Sequence, residues 1–256
     1  SQFNFYPKYA SLEFRHNDIW NDDNSLKPRD KVYGQNIVPL AVVRRDDDIF
    51  LLIFTSNKTD FNKIKQTLRI DGTHGDVDPI SSDLFTWLFY QFQMNEKMIS
   101  DYMKIQQITG FLSTIGQDAD SDSVSAKSGS VDTLSATKLE IALNHTLRSM
   151  ELSIGLEEVN AKFTFDEKSF LLIDTAVTTL DNAFSKNYTG YNKEHSLMAQ
   201  AVYIFAILLP LFEMEFGDDK VAFSGHVKTY RESLAKELVN KLLDAHPKLR
   251  ENINQI

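Results

Sequence analysis

The stretch IVPLAVVRRDDDIFLLIFT, residues 37–55, decides the fold class. Two apolar runs rich in β-branched residues flank the charged insert RRDDD. That is the pattern of a hairpin whose strands are largely buried and whose turn is solvated. A single hairpin is marginal in water, so this one needs further strands or a helix against its apolar faces.

Both kinds of element are legible on either side. Downstream, TDFNKIKQTLRI reads as a short helix with Thr59 or Asp60 as its cap. After Pro79, SSDLFTWLFYQFQ opens on N-cap serines and is apolar on almost all faces, as a core helix is. Residues 102–115, YMKIQQITGFLSTI, read as one or two strands. TKLEIALNHTLRSMEL suits a helix, while AKFTF and SFLLIDTA flank the turn DEK as a second hairpin. Residues 198–212, MAQAVYIFAILLPLF, form the most apolar run. They are shorter than the roughly 20 residues of a bilayer span and carry a proline, so a buried core helix is expected and no membrane span.

At the C-terminal end Val227, Tyr230, Leu234, Leu238 and Leu242 recur at spacings of three and four, widened by Ala235, Val239 and Leu243. This is an amphipathic helix that Pro247 ends. Glu232 with Lys236 and Glu237 with Lys241 supply i,i+4 pairs on its polar side. The expected class is therefore α+β, with antiparallel β-hairpins in both halves packed against helices and a C-terminal amphipathic helix. Residues 116–137 hold six serines and four aspartates. The expected division is an α+β part over 1–116, a Ser/Asp-rich loop or linker over 117–137, and a second α+β part over 138–256, with one continuous domain as the alternative.

Composition removes several chemistries. Cysteine is absent from the 256 residues, which excludes disulfides, thiolate nucleophiles and Cys-ligated metal centres. Net charge is −9, with −2 over residues 1–116 and −7 over residues 117–256. A chain of this sign repels a phosphate backbone on average, so nucleic acid is a partner only through a local basic patch. The candidate patch is Lys27, Arg29, Lys31, Arg44, Arg45, Lys58, Lys63, Lys65 and Arg69, which Asp46, Asp47 and Asp48 partly neutralise. The first residues show no secretory pattern, and cytoplasmic localisation is expected. Abundant Asn, Lys, Ile and Asp suit an AT-rich bacterial or phage source, with which an anti-phage defence role is compatible.

The densest candidate site is RIDGTHGDVDP, residues 69–79. Asp71, His74, Asp76 and Asp78 are hard-metal ligands by type, and Gly72 and Gly75 let the backbone converge them on Mg²⁺ or Mn²⁺. The companion histidine motifs of metallophosphoesterases are missing, and the same residues make a Gly/Asp turn into the following helix. Asp118, Asp120 and Asp122 share one face of an extended segment and are a second metal candidate, although the spacing fails as an EF-hand loop at Ser123 and Gly129. Ser135 with Lys138, Ser185 to Asn187 and Lys228 to Tyr230 imitate the order of penicillin-recognising serine enzymes. The third motif lacks its glycine and lies on a helix. Asp166, Glu167 and Lys168 imitate half of a nuclease set but sit in a hairpin turn.

No complete catalytic set emerges. The expectation is a soluble intracellular binding or regulatory protein that acts within a larger assembly, needs no cofactor, and engages a protein partner or a second copy of itself. The alternative is a metal-dependent phosphoesterase or nuclease using Asp71 to Asp78.

Overall fold

A computed structural model describes residues 3–69, 79–115, 122–157, 159–180 and 193–248. The chain is α+β and forms two compact units, one of residues 1–76 with 191–207 and the other of residues 77–190 with 208–256.

In the first unit, β1 (Phe3–Arg15), β2 (Tyr33–Arg45) and β3 (Asp48–Ile53) form an antiparallel sheet in the order β1-β2-β3. The expected β2–β3 hairpin closes at Arg45 opposite Asp48, and Asp46 takes the left-handed φ of 52° that a two-residue turn requires. Side chains alternate across the sheet. One face carries Ala10, Leu12, Val38, Leu40, Leu51 and Ile53 and is covered by Ile64 of α2 (Lys58–Thr67). The other face carries Phe5, Ala41, Val43 and Phe50, and Phe50 meets Phe205 edge-on at 5.2 Å. The residue that caps α2 is Asn57, not Thr59 or Asp60: its Oδ1 accepts from the Thr59 and Asp60 amides at 2.9 and 3.4 Å. Asp60 instead turns inward and accepts from Asn36 Nδ2 at 2.5 Å. Short α1 (Arg29–Val32) precedes β2.

The second unit is built on a six-stranded antiparallel sheet: β4 (Met98–Ser100), β5 (Met103–Ile115), β6 (Asp122–Lys127), β7 (Thr146–Leu156), β8 (Val159–Asp166) and β9 (Leu171–Ile173). The order is β4-β5-β7-β8-β9, with β6 also on β5. Helix α3 (Ser82–Met94) is capped by Ser81 and buries Phe85, Trp87, Leu88 and Phe89 completely. The aromatic core joins Phe85 to Phe165 at 5.0 Å and stacks Phe163 with Phe212 at 6.3 Å.

Two local expectations change. The Ser-rich segment is not loop throughout, because its described part contains β6, a polar edge strand. The helix expected through TKLEIALNHTLRSMEL is only α4 (Ser135–Ala142), and β7 begins at Thr146. Asn144, with φ 60°, stops it: the Asn144 amide donates to Ile141 O and the His145 amide to Glu140 O, the two bonds of a Schellman ending.

Helix α5 (Lys193–Tyr203) is followed by a π-helical turn (Ile204–Leu208) and by α6 (Leu209–Ala245). Pro210 lacks the N–H that would reach the Ala206 carbonyl, and a π turn ahead of it is the usual accommodation of such a gap. The helical run Glu194–Ala245 is long and apolar enough to cross a membrane by length and composition, but 67% of its apolar window is buried, as in a core helix. The buried stripe of α6 is Phe212, Phe216, Phe223, Tyr230 and Leu234. The expected stripe ran too far: Leu238 is half-buried and Leu242 is 59% exposed. Of the expected ion pairs, Lys241 meets Glu237 at 3.0 Å, whereas Glu232 lies toward Lys228 at 4.0 Å.

Candidate partner interface

At the end of the first sheet, Arg15 pairs in register with Tyr33, Phe14 with Gly34 and Glu13 with Gln35. The chain then leaves β1 through a bond from the His16 amide to Val32 O at 2.7 Å and folds into a small ribbon. The Lys27 amide donates to Ile19 O at 2.9 Å and the Asn21 amide to Ser25 O at 2.8 Å. These bonds flank Trp20 and Leu26, a directly opposed pair of the kind that holds side chains close on one face.

The sequence WNDDNSL makes this turn for local reasons. Asp23 Oδ1 accepts from the Ser25 amide at 2.9 Å and from Ser25 Oγ at 2.6 Å, while Asn24 takes φ 61°. The hydroxyl and amide of Ser25 hold the Asp23 carboxyl below its ordinary range. Lys27 closes the ribbon on Asp18 at 2.5 Å; its hydrogen bond, and then its charge, lower the Asp18 pKa.

Between ribbon, α1 and strand ends lies an open cleft of about 500 Å³ lined by Glu13, Arg15, Ile19, Leu26, Lys27, Arg29, Val32 and Tyr33. Val32 anchors its floor at 8% exposure. Arg29 donates to Glu13 at 3.2 Å and stands over the Tyr33 ring at 5.6 Å. Arg15 has no carboxylate partner among the described residues. The lining thus carries three cations against one carboxylate in a chain of net charge −9.

The other residues of the basic group do not line the cleft. Lys31 is on α1, and Lys58, Lys63 and Lys65 are on α2, with Lys65 over Phe61 at 5.6 Å. Arg69 follows α2 and is exposed. Arg44 and Arg45 end β2 at the opposite extremity from Tyr33, roughly 40 Å along the strand at about 3.3 Å per residue. Arg45 lies over Phe50 at 4.9 Å and Arg44 bonds Asp46 O. The fold gathers Lys27 and Arg29, adds Arg15, and leaves Arg44 and Arg45 apart.

Asp71, His74, Asp76 and Asp78 lie outside the described residues, as do Asp118 and Asp120. Asp122 opens edge strand β6 opposite Ile115 and is exposed. Among the described residues no three His, Asp or Glu side chains gather as a metal site. Ser135 and Lys138 lie on α4, with Lys138 bound to Glu237 at 2.6 Å, and Lys228 lies on α6. Asp166 serves the β8–β9 turn, its Oδ1 accepting from the Lys168 and Phe170 amides at 2.9 and 2.8 Å. Glu167 pairs with Arg148 at 2.5 Å.

The second unit holds a polar cluster that the sequence did not disclose. Ser113 Oγ donates to Glu140 Oε2 at 2.5 Å, and His145 Nδ1 lies 2.9 Å from the same oxygen. Ser113 is fully buried and Glu140 is 5% exposed. The residue types are those of a hydrolytic triad, but the order is wrong. A nucleophilic serine needs the imidazole as its neighbour, with the carboxylate beyond. Here the carboxylate is the middle member and no substrate reaches the hydroxyl, so the cluster ties α4 to β5.

The chain matches no protein-family model, and no curated protein matches it.

Proposed function

We propose that this protein binds or regulates a partner within a larger assembly and that the cleft end of the first unit faces that partner. One observation carries the reading: Leu26 and Tyr33, 62% and 39% exposed, line the cleft with Arg15 and Arg29, and Trp20, 53% exposed, stands directly opposite Leu26 in the ribbon. Tryptophan, tyrosine and arginine dominate the energetics of protein interfaces, because each combines large contact area with a polar handle. Solvating such a group of side chains without a partner gains the free protein nothing.

The test is a photo-cross-linking amino acid at position 26 in cells that express the protein naturally, with position 242 on α6 as control. The expected result is one discrete adduct at position 26 and none at 242. Equal labelling at both positions, or none at position 26, would remove the cleft end as the partner-facing surface.

A further inference from the structure

We infer that the segment seated in this cleft is an acidic peptide of a partner protein, with a carboxylate on Arg15 and an adjoining apolar side chain against Ile19, Leu26 and Tyr33. This rests on the partner-binding reading above and adds the chemistry of the partner.

The charge pattern selects the ligand. Three cations and one carboxylate line the cleft, and with Asp18 on Lys27 and Glu13 on Arg29 the charge left unbalanced is that of Arg15. Lys27 is engaged by Asp18 at 2.5 Å, and Arg29 gives one guanidinium nitrogen to Glu13 at 3.2 Å. Of the three lining cations, only Arg15 has no carboxylate partner among the described residues, and its planar fork matches a carboxylate with two parallel hydrogen bonds. Arg29 keeps further donors and is held over Tyr33, so it adds field without having to be ordered first.

The walls select further. Ile19, Leu26, Val32 and Tyr33 are apolar or aromatic, and about 500 Å³ lies within the range of small-ligand sites, enough for one or two side chains. A nucleic-acid strand fits less well. Its affinity comes from many released counterions, and that requires a row of uncommitted cations. Among the described residues that line the cleft one cation is uncommitted, Arg44 and Arg45 lie at the far end of β2, and the chain repels polyanions overall.

The test uses a phage-displayed library of random 12-residue peptides selected on the full chain, with counter-selection on the Arg15→Glu/Arg29→Glu variant. The recovered peptides should place Asp or Glu beside Leu, Phe or Trp. The best of them, made synthetically, should bind Arg15→Glu at least tenfold more weakly, Arg15→Gln several-fold more weakly, and Arg44→Glu as wild type. The exposed positions predict unchanged melting temperatures for all three variants, which separates binding from folding.

Peptides without acidic residues, no enrichment over the variant, or affinity indifferent to Arg15→Glu would each overturn the inference. So would an oligouridine 15-mer that binds more tightly than the peptide and is lost in Arg15→Glu. An in-cell adduct at position 26 that persists in Arg15→Glu would defeat the acidic-peptide inference while leaving partner binding intact. Absence of that adduct in the wild type would defeat the reading on which the inference rests, that the cleft end faces the partner.

Discussion

Glu140 and His145 share a hydrogen bond of 2.9 Å because α4 ends in a Schellman turn. The turn brings the third residue from the helix end against the second residue past it, a contact usually made by apolar side chains. Here it is polar, and Ser113 of β5 completes it from beneath at 2.5 Å.

Removing the middle member leaves Ser113 with only its long bond to Val124 O at 3.4 Å and leaves His145, which is partly exposed, to solvent. Glu140→Ala should destabilise the protein by roughly 1–3 kcal/mol in all, chiefly through the weakened bonding of buried Ser113. Glu140→Gln, which keeps an acceptor, should cost less. Urea unfolding of the two variants checks the order, and equal midpoints would show that the cluster contributes no stability.

Asn144 is required for its backbone. At φ 60°, Asn144→Gly should be tolerated, whereas Asn144→Val should cost about 1–2 kcal/mol for a β-branched residue in the left-handed region. A valine variant that melts with wild type would mean that the turn re-forms in another conformation.

The face of α6 that docks is set by Leu234, which is 5% exposed, and not by Leu242, which is 59% exposed. Leu234→Asp should lower stability by several kcal/mol, the scale of burying an unpaired charge, and Leu242→Asp should change it by less than about 0.5 kcal/mol. Thermal melts of the pair decide this, and the reverse ranking would place the docked stripe nearer the C-terminal end.

On the solvent face of the second sheet, Glu151 accepts from Thr109 at 2.9 Å and pairs with Lys127 at 3.0 Å, with Lys162 at 3.7 Å. Burial acts to raise its pKa, but Lys127, Thr109 and the charge of Lys162 together hold it below the ordinary 4.5. A depressed carboxylate adds stability above its unfolded pKa, and that stability is lost as pH falls through the folded value. Lys127→Ala should therefore weaken the protein at pH 7 and have less and less effect as the pH falls and the Glu151 carboxyl is protonated. The effect is small, because Lys127 is 78% exposed and solvent screens the pair. Unfolding curves from pH 7 downward test the sign, and a variant weakened more as the pH falls would refute it.

The stretch RIDGTHGDVDP has its own test. If it is a turn, excess Mn²⁺ should leave the melting temperature unchanged, and His74→Ala/Asp76→Ala should shift stability by less than about 1 kcal/mol. A Mn²⁺-dependent rise in wild type that the double variant loses would be mass-action evidence for a metal site and would favour the hydrolase reading.

Local physics in the chain was enough to determine much of this protein. The apolar runs IVPLAVV and IFLLIFT, parted by RRDDD, specify the β2–β3 hairpin and strands buried on both faces, while the register is set by the two-residue turn that closes Arg45 on Asp48. Ser81 and Pro247 mark the boundaries of α3 and α6 by the hydrogen bonds they supply or withhold. What tertiary structure alone decided depends on who covers whom. The sequence offered α6 a stripe through Leu242, but the burial of Phe223, Tyr230 and Leu234 together with the exposure of Leu242 follows from where its neighbours end. Ser113 and Glu140 meet across 27 residues, and the cleft joins a strand end, a ribbon and a four-residue helix. Periodicity reports which face of an element is apolar, but the meeting of polar groups distant in sequence follows from packing, which no local pattern encodes.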